Sequence, residues 1–335
     1  MRDDRLDNFK GLLIALVIVG HVIEPLRGRF GWVDGLYAYI YLFHMPMFAY
    51  VSGILSSRSA DKEQLTKILT HLILPYLFLE VLYSLFDHLA FSRDTFELSF
   101  LTPYWILWYL VSLAAWRILL PIFSRFRFPI LASLITGLAS GMGTLGLELS
   151  FSRTFVFFPF FIAGHYWHAP ITRKLDAFHH SKRLASFVAL SYLLILLIMP
   201  NTFGFSTRWL HGSLTYSELG VAWSEGMLIR LYLYGLATLL GLSFLSLIPK
   251  ARTFATRYGQ QSLSIYILHG FIVKTILALG LYLQITNGWQ AALLTLSSLL
   301  LLPLLSSPLA SRLVRFITNP FGINDLLTAK PSTGK

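Results

Sequence analysis

The stretch Lys10-GLLIALVIVG-His21, continuing through Val22 and Ile23 to Glu24, sets the reading of the whole chain. Between the lysine and the histidine every residue is uncharged, so the segment reads as a helix able to lie in hydrocarbon. Eleven positions at about 3.6 residues per turn come close to three whole turns, and Lys10 and His21 therefore project from one face. At about 1.5 Å of rise per residue they stand roughly 16 Å apart along the axis. This places Lys10 at a membrane surface and His21 well inside the bilayer. An ionisable side chain at that depth is costly and marks a functional site by default.

The composition extends that reading to the remainder of the 335 residues. Hydrophobic residues make up 55% and charged residues only 13%, with a mean hydropathy of +0.64. A soluble domain carries about 25% charged residues. Apolar runs recur at roughly 9–26, 36–56, 67–90, 104–123, 128–147, 153–169, 184–200, 226–248, 261–284 and 289–316. The expected fold is all-α: a polytopic membrane protein of about ten transmembrane helices forming one domain over 1–327. The polar tail 328–335 is expected to be disordered. Glycine clusters and short length weaken the fifth and sixth runs, and Pro303 and Pro308 are expected to kink, break or shorten the tenth. The N-terminus, MRDDRLDNFK, has mixed charge with no small-residue cleavage site after the first run, so that run reads as a retained helix.

Charge sidedness gives an orientation. With the N-terminus in the cytoplasm, twenty Lys and Arg residues fall on that side, among them Arg2, Arg5, Lys10, Arg117, Lys330 and Lys335. Only Arg27, Arg29, Arg93, Arg153 and Arg208 fall opposite. An even number of spans with both termini cytoplasmic follows, in a multi-pass protein of the bacterial inner (cytoplasmic) membrane. The formal charge of +11 would suggest nucleic acid in a soluble protein; here it is a sidedness signal and no nucleic-acid partner is expected. The absence of cysteine excludes disulfides, thiol nucleophiles and Cys-ligated metal.

Several side chains carry chemistry. Glu24 is a helical neighbour of His21 three positions on, and a carboxylate there would fix the imidazole's tautomer and restore some basicity. That pair suits a general base taking a proton from a hydroxyl; a structural polar contact across helices is the alternative. His44, in Phe43-His44-Met45-Pro46, is buried to a similar depth on the antiparallel neighbour and is placed to meet His21. His269, in Ser262-Leu-Ser-Ile-Tyr266-Ile-Leu-His269-Gly270, is a third intramembrane histidine. Trp105 and Trp108 lie near the outer interface, where an aromatic belt is the plain explanation. For Arg153, at the start of the sixth run, that explanation is a snorkelling anchor.

Other patterns carry less. Gly141-Met-Gly143-Thr-Leu-Gly146 fits a dinucleotide-binding pattern but lacks a βαβ setting, and small residues for helix packing explain it better. His168, His179 and His180 match no standard metal spacing, and no metal site is expected. Neither a GxSxG nucleophile elbow nor an HExxH motif occurs.

Taken together, the segments resemble the acyltransferase 3 family of membrane O-acyltransferases, and within it the fucose 4-O-acetylase-like branch. The matching pieces are Arg5-Leu-Asp7-Asn8-Phe-Lys10-Gly11, Gly20-His21, Phe43-His44-Met-Pro46, Ser52-Gly53 and Leu107-Trp108-Tyr109-Leu110. Arg153, Phe158-Pro159-Phe160-Phe161, Gly164 and Ser264-Ile-Tyr266-Ile-Leu-His269 complete them. The resemblance implies that His21 is the catalytic base and that Lys10 helps hold the acyl donor. Many members carry an Arg-x-x-Arg pair before a Leu-Leu-x-Pro-Tyr stretch. This chain has Lys67-Ile-Leu-Thr-His71-Leu-Ile-Leu-Pro75-Tyr76 instead, with His71 in the place of the second arginine. Lys67, Arg58 or Lys62 would then supply phosphate contacts.

The expected reaction moves an acyl group, most simply acetyl, from cytoplasmic acyl-CoA to a hydroxyl of a sugar, glycan or lipid-linked sugar. Acyl-CoA is a substrate here, and no permanently bound cofactor is expected. His21, Glu24 and His44 form the catalytic set, with His44 or a tryptophan indole stabilising the oxyanion. Lys10, Lys67, His71 and Arg58 take the donor, and Trp108, Arg153 and His269 the acceptor. A proton-coupled transporter with a histidine relay is the main rival, although no inverted repeat supports it. A scaffold of envelope-polymer assembly, in which the histidines only pack, is the other.

Overall fold

A computed structural model describes residues 3–59, 61–143, 146–198 and 206–319. Arg2, part of the Gly141–Gly146 run, and the tail 328–335 with Lys330 and Lys335 lie outside the described residues. Among the described residues all regular structure is helical.

Helix α1 (Asp4–Ile23) begins at an Asp3 cap whose carboxylate accepts from the Arg5 and Leu6 amides. Asp4 and Asp7 in its first turn complement the positive end of the helix dipole. It ends in a 3₁₀ turn, Glu24–Leu26, opened by Pro25. Helix α2 (Gly31–Ile54) returns across it with Pro46 inside, which leaves the Leu42 carbonyl without its helical donor. Helix α3 (Lys62–Ala90) contains a π turn at Leu69–Ile73, just ahead of Pro75. The missing proline N–H accounts for that wider turn, and π bulges favour functional positions. A 3₁₀ turn, Trp105–Leu107, leads into α4 (Trp108–Phe123).

Then follow α5 (Pro129–Ala139), α6 (Phe151–Ala177), α7 (His180–Ile198) and α8 (Trp223–Leu247). Helices α9 (Phe254–Gln260) and α10 (Ser262–Ala278) meet at Gln261 with a bend of 79°. The last segments are α11 (Gly288–Ser298), α12 (Leu301–Leu305) and α13 (Pro308–Thr318). Five described helices are long and apolar enough to cross a membrane singly, or six when the bent pair counts as one span. The protein is an all-α polytopic membrane protein.

The helices at the second, fifth, sixth and seventh expected spans (α2, α5, α6 and α7) are not among those five or six, and the fifth and tenth also differ in helical extent. The fifth, anticipated over 128–147, is helical only over Pro129–Ala139. Its 11 residues rise about 16 Å, short of the roughly 20 residues a crossing needs. The glycine-containing turn beyond Ala139 stops it. The tenth is broken twice, and Pro308 opens the first turn of α13, a position where its missing N–H costs nothing.

Helix α1 packs against α2, α9, α10 and α11, so His21 is surrounded by protein. Two glycine pairs set the closest approaches. A Cβ on Gly11 would overlap the Ala255 carbonyl, and one on Gly259 the Asp7 carbonyl. Gly53 and Gly164 are related in the same way to the Phe161 and Tyr50 carbonyls. Backbones touching without intervening side chains is the usual way small residues hold membrane helices together.

The start of α1 is clasped from the same end of the bundle. Arg5 donates to Asp176 at 2.9 Å and to the Leu245 carbonyl at 3.2 Å. Asn8 donates to the Pro249 and Ala251 carbonyls and accepts from Thr253 and Thr256. Apart from the Arg5 Nε, the buried polar atoms of these two side chains are bonded, which is what makes their burial tolerable.

Candidate active site

His21 stands where two cavities meet. The one on the Lys10 side, called inner after the charge map, holds about 270 Å³ and is lined by Lys10, Ser52, His71, Tyr109 and Arg117 among mostly apolar residues. The outer one holds about 120 Å³ and is lined by Glu24, Tyr41, His44, Trp105, Arg153 and His211. His21, Met45, Ile106 and Trp108 belong to both walls. Lys10 and His21 thus share a face and a cavity, as their spacing requires.

The His21 ring is fixed on several sides. Its Nδ1 lies 3.3 Å from Glu24 Oε2 and 3.2 Å from the Tyr41 hydroxyl. With the proton on Nδ1 and donated to Glu24, the lone pair sits on Nε2, and the carboxylate stabilises the imidazolium formed when Nε2 takes a proton. Trp105 meets the ring edge-on at 4.8 Å between centroids, and His269 lies at 5.3 Å.

Glu24 is itself tied outward. The Tyr37 hydroxyl lies 3.4 Å from Glu24 Oε1 and 2.9 Å from His211 Nε2. Tyr37 and Tyr41 stack at 3.9 Å, and the Arg27 guanidinium covers Tyr37 at 4.2 Å. His211 ends the 3₁₀ turn Thr207–His211 of the outer loop. Burial pushes its pKa down to about 4, the Glu24 charge only partly opposing, so near neutral pH it is an uncharged imidazole. Arg153 donates from Nε to the His211 carbonyl at 3.3 Å, and its guanidinium lies 5.1 Å from the Trp108 ring. Turned into the cavity in this way, it is not a snorkelling anchor.

Trp105 holds its place at a backbone cost, with φ at +35° where an aromatic residue is strained. The preceding residue is pinned on both sides. The Tyr104 amide donates to the buried Glu80 carboxylate at 2.9 and 3.1 Å, and its hydroxyl donates to Asp87. Asp87 also pairs with Lys274 at 3.3 Å and Arg93 at 2.7 Å. Strain kept in place by such a cluster points to a positioned side chain, and that side chain lies on His21.

A family model described as an acyltransferase domain matches residues 3–307. The chain belongs to the acyltransferase 3 family. Two Nodulation protein NolL sequences are similar to it. That from Mesorhizobium japonicum is 29% identical over 186 residues, covering 51% of this chain and 49% of its own length. That from Sinorhizobium fredii is 30% identical over 122 residues, covering 32% and 33% respectively. The chain thus spans half or less of the length of these curated relatives. No solved structure matches it.

The acyltransferase 3 segments divide between scaffold and cavity. Arg5, Asn8, Gly11, Gly53 and Gly164 hold helices together, whereas Lys10, His21, His44, Ser52, Trp108 and Arg153 face the cavities. His71, on the π turn, also reaches the inner cavity.

Three expected contacts are placed elsewhere. Lys67 is exposed and paired with Glu63 at 2.6 Å, outside the cavity lining. Arg58 stacks on Tyr166 at 4.4 Å and donates to His165 Nε2 at 2.9 Å. His269 lines neither cavity; wholly buried, it donates from Nδ1 to the Ile265 carbonyl at 3.0 Å and supports His21 from behind. His44 faces the outer cavity, but its Nδ1 donates to the Ile40 carbonyl at 2.7 Å. A neutral His44 therefore offers only an acceptor at Nε2.

Tyr37, Tyr41, His211 and Arg117 are not singled out for the site by the sequence, and Trp105 only as a tryptophan near the outer interface. The tyrosines and Trp105 lie in apolar runs where aromatic residues are ordinary, and His211 lies in a loop without periodicity. A signal existed for Arg117. It stands six residues before the end of α4, about 9 Å inside it, deeper than an interface anchor needs to be.

Proposed function

We propose that the protein is a membrane O-acyltransferase that moves an acyl group from acyl-CoA, entering by the inner cavity, to a sugar hydroxyl presented in the outer cavity. The observation that carries this reading is His21 at the junction of the two, open to both and backed by Glu24. An acceptor hydroxyl loses its proton to His21 Nε2 as its oxygen attacks the thioester carbonyl carbon. The tetrahedral oxyanion is met by the Tyr41 hydroxyl or the Trp108 indole. The carbon–sulfur bond breaks, and the thiolate leaves by the inner cavity, taking the proton from His21. Atoms and charge balance without a third reactant.

The outer wall suits a carbohydrate. Trp105 and Trp108 offer apolar faces, while Glu24, His44, His211 and Arg153 offer fixed acceptors and donors for hydroxyls. A buried junction would also exclude water, limiting thioester hydrolysis. The acceptor class we infer is a cell-envelope or exported glycan, or its lipid-linked precursor, at a bacterial cytoplasmic membrane.

The test compares envelope polysaccharide from cells with intact protein, with His21→Ala protein and with none. An alkali-labile acyl mass present only with intact protein is the expected result. Identical masses in all three would defeat the proposal.

A further inference from the structure

The inner cavity is lined by a half-buried arginine, unpaired among the described residues, that the expected donor contacts do not explain. Lys10, at its rim, is already paired with Asp7 at 2.8 Å. Lys67 and Arg58 are engaged outside it. Arg117 is different. It lines the cavity, its Nε is buried without a hydrogen-bond partner, and among the described residues it forms no ion pair. Arg117 is half-buried, and within an apolar bundle a partly desolvated cation with no anion beside it is costly unless a ligand supplies the countercharge.

Its position on α4 narrows the choice of ligand. Trp108, nine residues earlier on the same helix, lines the cavity at the His21 junction. Arg117 is therefore roughly 13 Å further towards the cytoplasmic end. That is too far for a charge on the acyl group itself, which must reach His21. It suits an anionic group held away from the thioester by a flexible, largely uncharged arm. The intervening walls, including Ile14, Val17, Leu110 and Leu113, fit such an arm, and the hydroxyls of Ser52 and Tyr109, bonded to each other at 2.7 Å, retain lone pairs for its amide N–H groups.

We propose that Arg117, with His71 beside the same cavity, forms the site for the phosphate end of the donor and stands in for the Arg-x-x-Arg pair that this chain lacks. The assignment rests on the acyl-CoA reading above. Arginine suits the task because its planar fork matches phosphate oxygens.

The test is binding of free CoA and of pantetheine, which lacks the phosphates, to full-length protein in nanodiscs. Wild-type protein should bind CoA more tightly than pantetheine. Arg117→Ala should weaken CoA binding by about tenfold or more and leave pantetheine binding as it was. Arg117→Lys should recover part of the loss, and Lys174→Ala, at an exposed position, should change nothing. Failure of wild-type protein to bind CoA would remove the donor reading and this assignment with it. CoA binding by Arg117→Ala as tight as wild type, with wild type binding well, would remove the assignment alone. So would equal loss of CoA and pantetheine, because that reports a collapsed cavity.

Discussion

The two cavities that meet at His21 are built on different principles. In the outer one the polar groups are bonded to one another: Glu24 to His21 and Tyr37, Tyr37 to His211, and Arg153 to the His211 backbone. In the inner one they are sparse and set in apolar walls: Ser52 is bonded to Tyr109 and Lys10 to Asp7, while among the described residues the buried Arg117 Nε has no hydrogen-bond partner. A preorganised wall fixes the orientation of a rigid ligand with many hydroxyls. An apolar slot with a distant cation accommodates a long, flexible ligand and holds it by its charged end. The contrast is that expected of an enzyme whose two substrates arrive from opposite sides.

Substitutions can break or sharpen this contrast. His21→Ala, at the junction, should lower transfer by about 10²–10⁴-fold, the usual share of a general base, with both ligands still bound. Loss of binding on either side would show that His21 is part of a wall and not the base. Glu24→Gln keeps the shape but removes the charge that supports the imidazolium. A charged hydrogen bond is worth about 1.5–3 kcal/mol, so kcat should fall by roughly tenfold to a hundredfold with donor KM unchanged.

Arg117→Ala should act in the opposite sense, raising donor KM about tenfold while acceptor KM stays constant. Equal effects on the two constants would erase the distinction between the cavities. Tyr37→Phe, which cuts the link between Glu24 and His211, should cost only about 1 kcal/mol. Its effect belongs in acceptor KM, measured by steady-state kinetics at saturating donor; a larger effect on donor KM would contradict the outer placement.

Much of the fold was legible because a bilayer makes apolar length the dominant signal. Legibility ended where backbone events depend on neighbours. The stop after Ala139, the π turn before Pro75 and the bend at Gln261 lie within or beside apolar runs and have no periodic signature of their own. The site was legible where one helix carries the information, as in Lys10, His21 and Glu24. It was not where the third dimension decides. Lys67 and Arg117 are both basic residues within two turns of a helix end, and only folding shows that one is neutralised in solvent and the other faces a cavity. His44 and His269 look alike in sequence, yet one lines the outer cavity and the other backs His21.

The central claim is that His21 joins a donor entering from the cytoplasmic side to an acceptor on the other. Inside-out membrane vesicles, loaded with envelope glycan from cells lacking the protein, offer the direct test when labelled, membrane-impermeant acyl-CoA is added outside. The account predicts label on the enclosed glycan with wild-type protein and none with His21→Ala. Transfer only when donor and glycan share one compartment, or undiminished transfer by His21→Ala, would contradict it.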